Sequence, residues 1–277
     1  MNNPNIHNLD PWLYDILKDS IQPPNADKMR VTQLIDSPLV RNLTIKHWDN
    51  LEVDISEFLN TTYGDAIHDY FARKGSWKGD KEQEVSAVIE GTNITGHFDV
   101  LTDGVLRDYK TTGVGYLRIG DNVEKWTQQL NIYAYLIGTY GVKVNKLEIN
   151  VLYRNWTKMK LGTKDYPEIP YEKLKLPLWS TEMQLSFIKE RLDYHHMNPT
   201  SCSDKERWKK DDIWGVWSTE AAFKKKGGRT LKNFSSEEAA NKWIQENGRG
   251  KYIEHRVGSY LRCDKFCFCR SICSMYQ

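Results

Sequence analysis

From residue 31 onward the apolar positions switch repeatedly between helical and strand spacing. "VTQLIDSPLVRNLTIKHW" (31–48) reads as one or two short helices broken at Pro38. "LEVDISEFLNTTYGDAIHDYFARK" (51–74) predicts a helix that Gly75 stops. "EVSAVIEG" (84–91) alternates loosely, as a strand does. Between residues 93 and 112 two apolar-rich stretches flank Asp103-Gly104, a two-residue loop signal that predicts a hairpin. A helix follows over 121–141, with Asp121 as a cap and Gly141 at its end. A strand is expected over 146–156 and an amphipathic helix over 177–197. This order predicts an α/β core, a mixed central sheet flanked by helices, spanning residues 31–206. Residues 1–30, with their Pro- and Asn-rich stretch, are expected to be irregular or a short helix plus linker.

Residues 207–257 differ in character. "IWGVWST" and "GGRTLKNF" read as strands, "SSEEAANKWIQENG" as a helix with a Ser235-to-Glu238 capping box and a terminal Gly248, and "KYIEHRV" as a third strand. The prediction is a small β-β-α-β insert. Residues 258–277 form a Cys-rich tail that returns to Cys202, so a bound metal there would tie the two ends of the insert together.

With Asp103 and Gly104 as the loop, Asp99 faces Asp108 across the hairpin. Like charges directly opposite destabilise a sheet, so something must compensate, and a divalent cation would. Side chains alternate along a strand, so Lys110 follows Asp108 on the same face, with His97 opposite it. Two carboxylates and a lysine suit phosphodiester hydrolysis: the carboxylates take Mg²⁺ or Mn²⁺ together with phosphate oxygens, and the lysine supports developing charge. Two helices add to this patch. Gln129 and Tyr133 lie four apart, as do Gly64 and His68. Gly64 suggests close approach of backbone or substrate, and His68 is a candidate ligand. Glu82 and Glu84 read as ordinary surface or strand residues, with a contribution to the site as the alternative.

Charge is nearly balanced, 39 Lys+Arg against 37 Asp+Glu for a net +2, so any nucleic-acid surface must be local. The most basic run is "FKKKGGR", with Lys224, Lys225, Lys226 and Arg229 expected at a hairpin tip. Such a run suits phosphate contacts, and Trp208, Trp214, Trp217 and Trp243 suit base stacking; a solvated turn and the insert's own core are the competing readings. No apolar run is long enough for a membrane span and no secretory signal is apparent, so a cytoplasmic location is expected. In that reducing setting Cys202, Cys263, Cys267, Cys269 and Cys273 read as a metal site rather than disulfides; four thiolates suit an iron–sulfur cluster or tetrahedral zinc.

The set "GDAIH", "GHFD", "DYK" and "QLNIY" resembles the RecB-like branch of the PD-(D/E)XK nucleases, over about residues 30–200. Each motif alone is weak; the four together, in the family's order, are specific. The resemblance implies a restriction-endonuclease-like fold, with His68, Asp99 and Asp108 as metal ligands and the Tyr109 carbonyl as a backbone ligand. Lys110 would be the catalytic lysine, and Gln129 and Tyr133 would position DNA or that lysine. The family often has Glu where Asp108 stands. The tail resembles that of four-cysteine nucleases, including CRISPR-associated ones, which implies a [4Fe–4S] cluster on Cys202, Cys263, Cys267 and Cys273. Structural Zn²⁺ is the alternative, and Cys269 the substitute for Cys267. Proteins similar in insert and tail are encoded by bacteriophages. The implied activity is a DNA exonuclease acting on single or double strands with free ends, alongside recombination or replication proteins in the host cytoplasm. A structure-specific endonuclease and a non-catalytic DNA-binding scaffold are the alternatives.

Overall fold

In the computed structural model, which describes residues 1–73, 80–115 and 122–276, the hairpin sits inside a six-stranded mixed sheet. Its loop is the two residues Asp103 (φ +51°) and Gly104 (φ +71°). Two successive positive φ values match the twist of antiparallel strands, and Asp-Gly supplies them at low cost. Strand β1 (Lys28–Arg30) runs parallel to the start of β3 (Thr92–Thr102), and β2 (Asp80–Ile89) pairs antiparallel along β3. The other hairpin strand, β4 (Val105–Thr112), pairs parallel with β5 (Lys146–Tyr153), and β5 antiparallel with β6 (Tyr171–Leu176). A parallel pair needs a crossover. Helix α5 (Asn122–Thr139) supplies it, and its buried Leu130, Ile132, Leu136 and Ile137 join Leu106, Leu147, Ile149 and Val151 of the sheet in one core.

One edge of β3 changes partner midway. It pairs with β1 at Asn93–Thr95 and with β4 at Val100–Thr102. The interval Gly96–Asp99 therefore has no strand ladder on that edge, and the hairpin register Val100↔Arg107, Leu101↔Leu106, Thr102↔Val105 stops one step short of Asp99 and Asp108. His97 pairs instead with Glu84 of β2 and is exposed, so it does not face Lys110 as the extended register predicts.

Two further expectations hold, one changes and one strand is added. In residues 1–30 the short helix is α1 (Pro11–Ser20), capped by the Asp10 carboxylate on the Trp12 N–H, and strand β1 follows it. Two helices flank the Pro38 break, α2 (Val31–Leu34) and α3 (Pro38–His47), with Pro38 at the first position of the second, where its missing N–H costs nothing. Helix α4 begins only at Leu59 and runs to Arg73. Leu51, Val53 and Ile55 are buried at a period of two, the extended backbone there pairs with Asn2 and Pro4, and Asp54 then starts a 3-10 turn at Ile55–Phe58. Strand β6, short and half exposed, has little apolar pattern to announce it. The expected stop at Gly75 and cap at Asp121 lie outside the described residues. Helix α6 (Thr181–His196) lies within the predicted 177–197.

The chain divides into two compact units, Met1–Thr200 and Ser201–Gln277, so residues 1–30 belong with the first and Cys202 with the second. In the second unit β7 (Lys209–Lys210) pairs with β11 (Ser259–Tyr260). Between them lie β8 (Ile213–Trp217), α7 (Glu220–Lys224), β9 (Lys232–Phe234), α8 (Glu237–Asn247) and β10 (Tyr252–Arg256), with sheet order β10-β8-β9. The β-β-α-β pattern is present with one extra helical turn. The cap of α8 is Ser236 rather than Ser235, accepting from the Ala239 N–H, and Gly248 (φ +60°) ends the helix. The β7–β11 pairing itself joins the two ends of the insert, without any metal. Helix α9 (Leu261–Lys265) follows and carries Cys263. No helix among the described residues is long and apolar enough to cross a membrane.

Candidate active site

The unpaired interval of β3 is where the chemistry collects. The Tyr109 N–H of β4 has no carbonyl opposite it on β3, and the Asp99 carboxylate fills the gap, with Oδ2 accepting at 2.7 Å. A buried N–H must find an acceptor, and here a side chain provides it. Fixing Oδ2 leaves Oδ1 directed at His68 of α4, whose Nδ1 lies 3.4 Å away. The same Nδ1 lies 3.5 Å from Glu82 Oε1.

Glu82 belongs to β2, between Lys81, which pairs with Val100, and Gln83, which pairs with Phe98. It therefore stands level with Asp99. Its φ of +46° is a left-handed conformation in mid-strand, a local irregularity of the kind that re-aims a side chain. The ligand atoms of His68, Glu82 and Asp99 all lie within 4.8 Å of one another, and no other such group of three His, Cys, Asp or Glu residues occurs among the described residues. Glu82 thus joins the cluster, the placement that sequence reading ranks below an ordinary surface or strand residue. Its only signal is its place level with Asp99, which becomes visible once the β2–β3 register is known.

Asp108 faces a second, drier compartment. It is buried, with Oδ2 2.7 Å from Lys110 Nζ and Oδ1 accepting from Gln129 Nε2 at 3.4 Å. Gln129 also reaches the Tyr133 hydroxyl at 3.5 Å. Both residues lie on the buried face of α5, one turn apart, so the helix that closes the crossover also delivers them to the strand ends. Gly96 makes this possible: a Cβ there would lie 2.4 Å from Tyr133 Cε1 and 3.1 Å from Val31 Cγ2. Tyr109 sits opposite Asn150 of β5, with its ring against Phe71 of α4.

These placements perturb protonation. The hydrogen bond that His68 donates to Asp99 raises the His68 pKa to about 9, against the opposing effect of burial, and the charges of Asp99, Asp108 and Glu82 add to the rise. Burial raises Asp108 to about 6, with Asp99 pushing the same way and Lys110 pulling it down. Burial raises Glu82, and the neighbouring Asp99 charge adds to it. Burial also raises the Tyr133 phenol. Strong perturbation of a His and a carboxylate in one place, with a second carboxylate shifted upward beside them, is the electrostatic pattern that functional sites show.

Among the described residues an added Cβ at Gly64 of α4 would meet no atom within 4 Å outside the helix, so none of them explains that glycine. The structure brings His68, Asp99, Asp108, Tyr109, Lys110, Gln129 and Tyr133 together. Lys224, Lys225, Lys226 and Arg229 belong to the other unit and are exposed. Lys224 ends α7 and the other three follow it, all in the connection between the antiparallel strands β8 and β9, which carries a helical turn rather than a tight tip, and Lys224 pairs with Glu220 at 2.6 Å. Trp217 is buried against Phe223 and donates Nε1 to Glu254, so it is a core residue and not a stacking platform. Trp214 stacks on His255, Trp243 lies against Phe234, and Trp208 lies against Phe266. Cys202, Cys263, Cys267 and Cys273 are half-buried and Cys269 is wholly buried. The Cys202 N–H points to Met275 Sδ at 3.1 Å, which brings Cys202 to the C-terminal tail, and Arg207 hydrogen-bonds Cys263.

No protein-family model and no curated protein matches this chain. Among solved structures it is similar to a protein named SSO0001, with 17% identity and a TM-score of 0.46, covering 66% of this chain and 84% of that one. It is also similar to a chain from Eubacterium rectale provisionally described as an exonuclease, with 11% identity and a TM-score of 0.31, covering 67% of this chain and 74% of that one.

Proposed function

We propose that the protein is a metal-dependent DNA nuclease of the RecB-like PD-(D/E)XK type, acting as an exonuclease. One observation carries this reading: helix α4 and the two strands of the hairpin converge so that an imidazole and two buried carboxylates stand beside a lysine already ion-paired at 2.7 Å. The donor set suits a divalent cation. Carboxylate oxygens are what Mg²⁺ and Mn²⁺ prefer, one neutral imidazole is tolerated, and the three ligand atoms within 4.8 Å can share one ion.

A bound cation supplies water activation and charge neutralisation at the phosphate. The chain's own groups do the rest. The Tyr109 N–H fixes one Asp99 oxygen and so orients the other. Asp108 holds Lys110 at the edge of the site, where the ammonium stabilises charge that develops on the phosphate oxygens in the transition state. Gln129 and Tyr133 keep Asp108 in place from behind, in the role of positioning residues. Burial of this pair excludes water on one side, which strengthens its interaction with an incoming phosphate.

In the second unit, Cys202, Cys263, Cys267 and Cys273, with Cys269 as substitute for Cys267, would hold a [4Fe–4S] cluster or structural Zn²⁺. Thiol donors and the Arg207 guanidinium beside Cys263 suit a thiolate-bound metal, which would supply structure rather than redox chemistry. Visible absorbance with iron content, against zinc content, decides between the two. DNA would be the partner, with Lys224, Lys225, Lys226 and Arg229 contacting phosphates.

The deciding experiment follows release of label from end-labelled linear single- and double-stranded DNA with Mg²⁺ or Mn²⁺, in wild type, Asp108→Ala and Lys110→Ala. Metal-dependent release lost in both folded variants supports the reading. Cleavage of closed circular DNA would replace exonuclease by endonuclease. A folded, metal-loaded wild type that binds DNA without cutting it would favour the scaffold alternative.

A further inference from the structure

We propose that Glu82 is a ligand of the catalytic cation, and that the ion's protein seat is His68, Glu82 and Asp99, with Asp108 committed mainly to Lys110. This rests on the metal-dependent reading above. The geometry separates the four acidic and imidazole groups into two sets. Asp99 Oδ1, Glu82 Oε1 and His68 Nδ1 face one another, at 3.4 and 3.5 Å from the ring nitrogen. Asp108 has both oxygens engaged, by Lys110 and Gln129, and does not belong to the close group.

Exposure follows the same division. The His68 and Glu82 side chains are 31% and 35% exposed, whereas that of Asp108 is 4% exposed. A cation arriving from solvent with part of its hydration shell reaches the His68–Glu82 side first, and Asp99 lies beneath both. Mg²⁺ and Mn²⁺ usually keep several waters and take a few protein ligands, which this open triangle permits. The strand level that holds Glu82, Asp99 and Asp108 places three carboxylates across adjacent strands, an arrangement that needs positive charge beside it. His68 lies against the first two, where a bound cation would take the place of its proton, and Lys110 neutralises the third.

The test is Mn²⁺ binding by the full-length protein, read from the electron paramagnetic resonance signal of the free ion and from the Mn²⁺-induced rise in melting temperature. Wild type, Glu82→Gln, Glu82→Asp and Asp108→Asn are compared, and nuclease activity is assayed in parallel. Glu82→Gln is nearly isosteric and removes a like-charge neighbour of Asp99, so it should fold. We expect it to weaken Mn²⁺ binding by about tenfold or more, with a correspondingly smaller Mn²⁺-induced thermal shift, and Asp108→Asn to weaken binding less. Glu82→Asp should recover part of the loss. If wild type binds Mn²⁺ and cuts DNA while Glu82→Gln binds as tightly as wild type, Glu82 is not a ligand and the nuclease reading stands. If Glu82→Gln loses binding but wild type cuts nothing, the ligand assignment stands and the nuclease reading falls. A wild type that binds no Mn²⁺ overturns both.

Discussion

Replacing Gly96 by Ala tests whether α5 is seated where it must be for Gln129, with Tyr133 beside it, to reach Asp108. The added methyl carbon would lie 2.4 Å from Tyr133 Cε1, 3.1 Å from its hydroxyl oxygen and 3.1 Å from Val31 Cγ2. The ring is 4% exposed and Val31 is fully buried, so neither neighbour can swing into solvent. The overlap at 2.4 Å can be relieved only by moving α5 or β3. Overpacking of this kind costs roughly 1–3 kcal/mol, and the depth of the overlap places Gly96→Ala near the upper end. At a few degrees per kcal/mol for a unit of this size, the melting temperature should fall by about 5 to 10 °C. The cost should depend on the ring. In a Tyr133→Ala background, itself expected to be destabilised by about 3–5 kcal/mol, the methyl group has room, and Gly96→Ala should become nearly neutral. Thermal or urea unfolding of the four proteins, followed by far-UV circular dichroism, gives the cycle. A Gly96→Ala protein as stable as wild type, or one whose destabilisation is the same with and without the Tyr133 ring, would refute the close approach on which this packing rests.

His195 makes a prediction about acid stability. Its Nε2 lies 3.1 Å from the Leu34 carbonyl and its Nδ1 is buried with no hydrogen-bond partner, so a second proton has no acceptor. Burial holds its pKa down at about 4; the Leu34 carbonyl and Asp36 oppose this, whereas Arg191 and Arg41 reinforce it. The unfolded chain protonates near the ordinary value of about 6.5, so the neutral imidazole's contribution is complete above that pH and is lost as pH falls toward 4. The loss is roughly 3 kcal/mol at most. Stability measured against pH should show this slope in wild type and a flatter one in His195→Gln. In the second unit, neutralising Lys225, Lys226 and Arg229 should weaken DNA binding and flatten its salt dependence. The log–log slope should fall by up to about 0.9 for each phosphate that is no longer neutralised. Lys224, already paired with Glu220, should contribute least. An unchanged slope would remove the basic run from the DNA path.

Much of the core was legible because its signals are local. Asp103-Gly104 sets the hairpin, and the hairpin sets the offset between Asp99 and Asp108. Gln129 and Tyr133 share a helix face whatever lies beneath it. What the pattern could not carry was pairing at a distance. Leu51, Val53 and Ile55 alternate at a period of two, but so short a run signals extension only once the N-terminal residues pair with it. Strand β1 has three residues and depends on β3 for its existence. Glu82 ranks low in the sequence for the same reason: its role follows from standing level with Asp99, and only the β2–β3 ladder supplies that level. The ladder's own interruption at Asp99 was likewise invisible, since it arises from the exchange of β1 for β4 along one edge.

The pairing of Lys209–Lys210 with Ser259–Tyr260 has a further consequence for how this chain can change over generations. A segment that leaves and re-enters its host through adjacent strands is a detachable excursion. Closing the same gap with a loop of different length alters the free energy only logarithmically. The forty-odd residues between these strands can therefore lengthen, shrink or be exchanged while Cys202 and the tail cysteines keep their separation. Relatives would then be expected to vary most in this excursion, and to adapt there to different companions while the His68–Asp99–Asp108 cluster stays fixed.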